Sequence, residues 1–112
     1  MMRIVVISEG ESLDSEVAED FGHAPFFLVV DSDTLDYHVI DNEFADSPEG
    51  AGIAVAKAIT TLQPDAVITG GIGMHGLDIL RKANIFVSYD EEGSVEQCIS
   101  DFVRRHNRNM AG

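Results

Sequence analysis

The sharpest chemical signal in the chain is the run Gly71-Ile72-Gly73-Met74-His75-Gly76, which reads G-x-G-x-x-G. It follows a short apolar stretch of strand character and opens a helical one, and Asp90 lies 19 residues beyond Gly71. This is nearly the context of a dinucleotide fingerprint, in which glycines let the backbone approach a pyrophosphate at a helix start and an acid takes the ribose hydroxyl. A chain of 112 residues leaves no room for two mononucleotide-binding halves and a substrate domain. What survives is more general: free N–H groups at a helix N-terminus attract an anion, and glycines let a bulky ligand come close. Gly71, Gly73, Met74 and His75 are the loop residues expected to touch a cofactor. The plainer reading of the same glycines is a tight strand-to-helix turn.

His75 beside Met74, and His23 in Phe21-Gly22-His23-Ala24-Pro25, both fall in loops. Neutral imidazole and thioether sulfur are soft-metal ligands without needing to titrate at neutral pH, so His23 and His75 are the candidate metal contacts. The plain alternative for each is a loop histidine hydrogen-bonded to the backbone. His38, in a strand, and His106, in a terminal helix, receive no role. Cys98 shares a helical stripe with Val95, Ile99, Phe102 and Val103, which predicts a buried, inert thiol. No catalytic residues emerge. The chain shows no local Cys-His or Ser-His-Asp pattern, and the first strand carries no carboxylate for a two-metal nuclease site.

These residues need elements to hold them. Arg3 to Ser8 is a β-branched run suited to a strand covered on both faces. Leu13, Val17, Ala18 and Phe21 form a stripe that predicts a short helical turn over Leu13–Phe21, with Gly22 in the left-handed conformation of a helix C′ residue. Two strands, Phe26–Asp31 and Tyr37–Asn42, are close enough in sequence to form a hairpin. A helix from about Ile53 to Leu62, a strand Ala66–Thr69, a helix after Gly73, a strand Ile85–Ser88 and a helix from Ser94 to about Asn107 complete the order. Ser94 and Gln97 have capping-box spacing. A meander followed by crossover units implies a mixed sheet with helices on both faces.

Composition narrows the function classes. Seven Lys and Arg stand against 20 Asp and Glu, a formal net charge of −13, while 45% of residues are hydrophobic. That apolar content argues for one folded domain over residues 1–112. Residues 1–56 hold 13 acids and one base, and residues 57–112 hold seven acids and six bases. An acidic half of this kind repels nucleic acid and anionic membranes, so neither is an expected partner. A lone cysteine excludes an intrachain disulfide, and the N-terminal apolar run is too short for a signal peptide or a span, which makes a cytoplasmic protein the expectation.

The segment from Glu11 to Phe27, with its Val-x-x-x-Phe-Gly-x-Ala-x-x-Phe pattern, resembles the dinitrogenase iron-molybdenum cofactor-binding family, of the NifX, NifY and NifB C-terminal type. The Gly-x-Gly-x3-Ala stretch at Gly50 to Ala56, the Gly70-Gly71-Ile72-Gly73 loop and the helix after Ser94 extend the resemblance over nearly the whole chain. The resemblance implies an α/β fold: a ribonuclease H-like three-layer α/β/α sandwich around a five-stranded mixed sheet, order 3-2-1-4-5, with strand 2 antiparallel. It also implies a non-enzymatic protein that binds or carries an iron-sulfur or iron-molybdenum cofactor or its precursor, bound transiently, with metal-cofactor assembly proteins as partners. Of the family's contact residues, only His23 of the Phe-Gly-His-Ala motif carries over. Two other functions remain open on the residues themselves: a phosphate- or nucleotide-binding module using Gly71 to Gly76, and an acidic protein-interaction domain.

Overall fold

β1 (Arg3–Ser8) has no polar side chain from Ile4 to Ile7, and it lies at the centre of the sheet with all four of those residues fully buried. The computed structural model describes residues 2–111, with side chains through residue 107. Eight elements follow in order: β1, β2 (Phe26–Asp31), β3 (Tyr37–Asp41), α1 (Ala51–Leu62), β4 (Ala66–Ile68), α2 (Met74–Lys82), β5 (Phe86–Ser88) and α3 (Val95–Ala111). The sheet order is β3-β2-β1-β4-β5, antiparallel at β1–β2 and β2–β3 and parallel at β1–β4 and β4–β5. β2 alone runs against the other four strands, as expected.

Strand alternation divides the apolar residues between two cores. Val5, Ile7, Phe27, Val29 and Val67 meet Val55 and Ile59 of α1 and Leu80 of α2. Ile4, Val6, Leu28, Val30 and Ile68 meet Val95, Cys98, Ile99 and Phe102 of α3. The architecture is therefore three layers, with α1 and α2 on one face and α3 on the other.

The stretch from Leu13 to Phe21 departs from expectation, for it forms no helix. It is an irregular strap held by single bridges, Val17 to Ser8 at the end of β1, Glu16 to Ser94 before α3, and Asp20 to Gly71 before α2. The physical reason lies in where its apolar residues go. Leu13 and Val17 pack into the α3 core, whereas Ala18 and Phe21 pack into the α1–α2 core. One helical stripe cannot serve two faces of a sheet; an extended segment wrapped over its end can. Gly22 is not a left-handed cap either, because Gly50 and Gly93 are the positive-φ glycines among the described residues. At Gly22 the requirement is room: a Cβ there would lie 2.8 Å from the Gly52 backbone nitrogen.

The other boundaries shift by one or two residues, except that α3 runs to Ala111, about four residues beyond the expected end. α1 begins at Ala51 because Gly50, at φ +72°, turns the chain into the helix. At the start of α3, Ser94 Oγ accepts the Gln97 N–H at 3.1 Å, but the Gln97 side chain donates down the helix to Asp101 at 3.0 Å. Only half of the capping box forms.

Candidate functional site

The topology determines where the helices start. β1, β3, β4 and β5 point the same way, and each helix returns against them, so α1, α2 and α3 all begin at the sheet's C-terminal end. β2 starts at that same end, with Phe26 opposite Ser8, which brings the 21–25 turn there too. This is the edge where ligands bind in open α/β sheets.

Two of these helix starts adjoin one another without a side-chain cap. α1 has Gly50 and α2 has Gly73 at the N-cap, and neither offers an oxygen to the first turn. The first N–H groups of a helix have no carbonyl within it to bond, and the dipole adds roughly half a positive charge at each start. The close approach is enforced by glycines. A Cβ on Gly76 would meet the Gly52 carbonyl at 3.3 Å and the Phe21 ring at 3.4 Å.

The G-x-G-x-x-G residues therefore divide by role. The Gly71 N–H donates to the Glu19 carbonyl at 2.6 Å and its own carbonyl accepts from Phe21 at 3.2 Å, so its backbone holds the strap and does not face a ligand. Gly70, just before the motif, has the Ala18 oxygen and the Glu19 Cα each 2.6 Å from where a Cβ would sit. Gly73 is open, with nothing within 4 Å of such an atom. Met74 is 84% exposed, and with His75, Leu77, Asp78 and Arg81 it lines a shallow cleft of ≈ 300 Å³.

His23 sits in the neighbouring turn, outside that cleft. Its Nδ1 lies 2.9 Å from Asp20 Oδ2 and its Nε2 lies 3.0 Å from the Ser47 carbonyl. Both neighbours are acceptors, so the protonated ring satisfies both and has no lone pair free for a metal. The hydrogen bond that the His23 ring donates to Asp20, followed by that to the Ser47 carbonyl and by the Asp20 charge, raises the His23 pKa above its ordinary 6.5. Partial burial pushes the Asp20 carboxyl up. Hydrogen bonds from the His23 ring and the N–H groups of Gly22 and His23 outweigh it, so the carboxyl stays below its usual 3.8.

A residue that sequence reasoning missed fixes this turn. Asn42 is buried, its Nδ2 donating to the carbonyls of Gly22 at 3.0 Å and Ala24 at 2.8 Å, its Oδ1 accepting the Phe44 N–H at 2.9 Å. One asparagine after a strand gives no sign of that work beyond its preference for turns.

Elsewhere at this end, Glu9, Glu16, Glu19, Glu91 and Glu92 line a separate cleft of ≈ 680 Å³. Its charge opposes an anion there more than the α2 cleft does, where Arg81 stands beside one carboxylate, Asp78. Cys98 is buried on the α3 face, its thiol pushed up to about 11 by burial and by the Glu91 and Asp101 carboxylates. Among the described residues no group of three His, Cys, Asp or Glu side chains is placed to hold a metal ion. What this end can do is hold an anion through helix N–H groups, with His75 and Met74 at the rim.

The sequence pattern of the family described as dinitrogenase iron-molybdenum cofactor matches residues 2–105. The chain belongs to that family. Among solved structures, the apo form of the orange protein from Desulfovibrio gigas is similar at a TM-score of 0.87 and 34% identity, over 93% of this chain and 88% of that one. A Thermotoga protein provisionally named NifB is similar at a TM-score of 0.77 and 27% identity, over 93% and 89% of the two chains. No curated protein matches the sequence. Among the described residues no helix is long and apolar enough to cross a membrane.

Proposed function

We propose that this member of the dinitrogenase iron-molybdenum cofactor family is a non-catalytic carrier whose cargo is an anionic iron-sulfur or iron-molybdenum cofactor, or a precursor of one, handed between metal-cofactor assembly proteins in the cytoplasm. The observation that carries the reading is the pair of adjoining, uncapped helix starts at Gly50 and Gly73. The donor set suits that cargo in one respect and limits it in another. Orphan N–H groups and two helix dipoles favour an anion. The scarcity of clustered ligands disfavours tight coordination, which fits a cargo that must leave again.

The roles follow from position. The first-turn N–H groups of α1 and α2 face the cargo's anionic atoms. His75 and Met74, flanking the open Gly73, are the side chains available to touch it. His23, hydrogen-bonded between Asp20 and the Ser47 carbonyl, shapes the turn beside α1 at the same sheet end. Becoming a metal contact would require one His23 ring nitrogen to carry no proton and to leave its acceptor. Arg81, on the cleft wall, offsets part of the acidic field.

The test is uptake. Apo-protein mixed anaerobically with isolated iron-molybdenum cofactor or its iron-sulfur precursor should acquire the cargo's visible absorption and keep it through gel filtration. His23→Ala and His75→Ala should each reduce the amount retained. No uptake by the natural chain, or equal uptake by both variants, would overturn the assignment.

A further inference from the structure

β5 is an edge of the sheet, and it is an unprotected one. Phe86 N–H donates inward to the Asp65 carbonyl, and Ser88 C=O accepts inward from Thr69. In a parallel strand the N–H and C=O of one residue point to the same side, and successive residues alternate. Val87 therefore turns its N–H and C=O to the open side. Natural edges are commonly guarded by charges or proline. The stretch from Ala83 to Tyr89 has neither, although the chain carries −13 overall. The opposite edge strand, β3, is by contrast bracketed by Asp36 and Asp41.

Beside this edge lies an aromatic groove of ≈ 410 Å³. Phe86 is 63% exposed, its ring 5.6 Å from that of Phe102, which stacks in turn on His106 at 6.2 Å. Tyr89 and Arg105 complete the lining. With Tyr89, itself 47% exposed, in the same lining, Phe86 makes an exposed aromatic patch of the kind that marks a contact surface.

We propose that the β5 edge and the Phe86–Phe102–His106 groove dock an extended segment of a partner protein, one that presents an apolar side chain next to a carboxylate. Main-chain pairing with Val87 would supply the strand, and the groove would take the side chain. Charge selects the partner's chemistry. The groove's one carboxylate, Glu91, is already occupied, accepting from Ser88 Oγ and from Arg105 at 3.0 Å. Arg105 has further N–H donors in its fork, its guanidinium remains half-exposed, and α3 holds no acid from Phe102 to Asn107. An incoming carboxylate meets positive charge there, whereas a second copy of this acidic chain meets its own repulsion. The surface is independent of the cargo site, so it can be tested on the protein alone.

Randomised octapeptides displayed on phage, selected on the natural chain and counter-selected on Phe86→Ser, provide the probe. The expected winners alternate Phe, Leu or Ile with Asp or Glu. Made as free labelled peptides, they should bind about ten-fold more weakly to Phe86→Ser, the usual scale for losing an aromatic anchor. Arg105→Gln should weaken them several-fold, and about 0.5 M salt should do likewise by screening the charge. Tyr37→Ser, on the far edge, should change nothing. Failure to enrich any sequence over the Phe86→Ser background overturns the proposal, as does a basic consensus. So does sedimentation showing a dimer that Phe86→Ser dissolves, which would make the occupant a second copy.

Discussion

His23 and Asp20 form a hydrogen-bonded ion pair, 2.9 Å from Nδ1 to Oδ2, across a turn that the same carboxylate also caps through the N–H groups of Gly22 and His23. Their titrations follow from this geometry. His23 should titrate above 6.5, with both ring nitrogens protonated below that point and one of its two hydrogen bonds lost above it. Asp20→Asn should bring the value back toward 6.5. Histidine-selective NMR across a pH series reads both, and an unchanged titration in Asp20→Asn would refute the pairing.

Stability should follow the same pair. A raised histidine pKa contributes stability that is complete below 6.5 and lost as pH rises through the folded value; a lowered carboxyl pKa contributes stability above 3.8 that is lost as pH falls through its folded value. Both contributions are therefore present together between those two reference values. Thermal melts of the natural chain minus those of His23→Ala should show their largest difference in that window.

Asn42→Ala removes both donors and the acceptor that hold the 22–25 turn and Phe44. Leaving these buried backbone groups unpaired should cost about 2–4 kcal/mol, measured by urea denaturation. Cargo uptake should fall as well, although Asn42 itself is buried beneath the surface.

Gly70, packed against the strap, and Gly73, at the start of α2, should respond in opposite ways. Gly70→Ala places a methyl against backbone atoms of Ala18 and Glu19, and should destabilise by about 2–3 kcal/mol. Gly73 has N-cap geometry, φ −74° and ψ 161°, with open space around it. Gly73→Asp should cap α2, complement its dipole and stabilise the fold by about 0.5–1 kcal/mol. It should also repel an anionic cargo. A higher melting temperature together with lower uptake separates folding from function in a single variant.

Cys98 should be silent. With its pKa near 11 only about one thiol in a thousand is ionised at pH 8. Labelling by a thiol-reactive dye should proceed on the timescale of unfolding, and Cys98→Ala should leave cargo uptake intact.

Much of this was readable beforehand because the two periodicities are clean. The strands from Arg3 and Phe26 and the α3 stripe around Cys98 bury the residues their patterns assign. The strap was not readable, since its apolar spacing matches a helix and only the sheet's end shows Leu13 and Val17 going to one core, Ala18 and Phe21 to the other. The glycine motif falls at the sheet's C-terminal end, but its spacing does not give the division of labour within it. Whether a glycine faces a ligand or a neighbouring backbone depends on segments far away in sequence, as the contact of Gly71 with Glu19 shows. The role of Asn42 was hidden for the same reason.

The five glutamates around Glu16 and Glu91 occupy the same sheet end as the uncapped helices, and so divide it into two electrical halves. An anion resting on the α1–α2 half meets that repulsion toward α3, while the cleft beside α2 sets Arg81 next to a single carboxylate, Asp78. On the proposed carrier reading, arrival and departure then share the face over α2, and donor and recipient take turns at it.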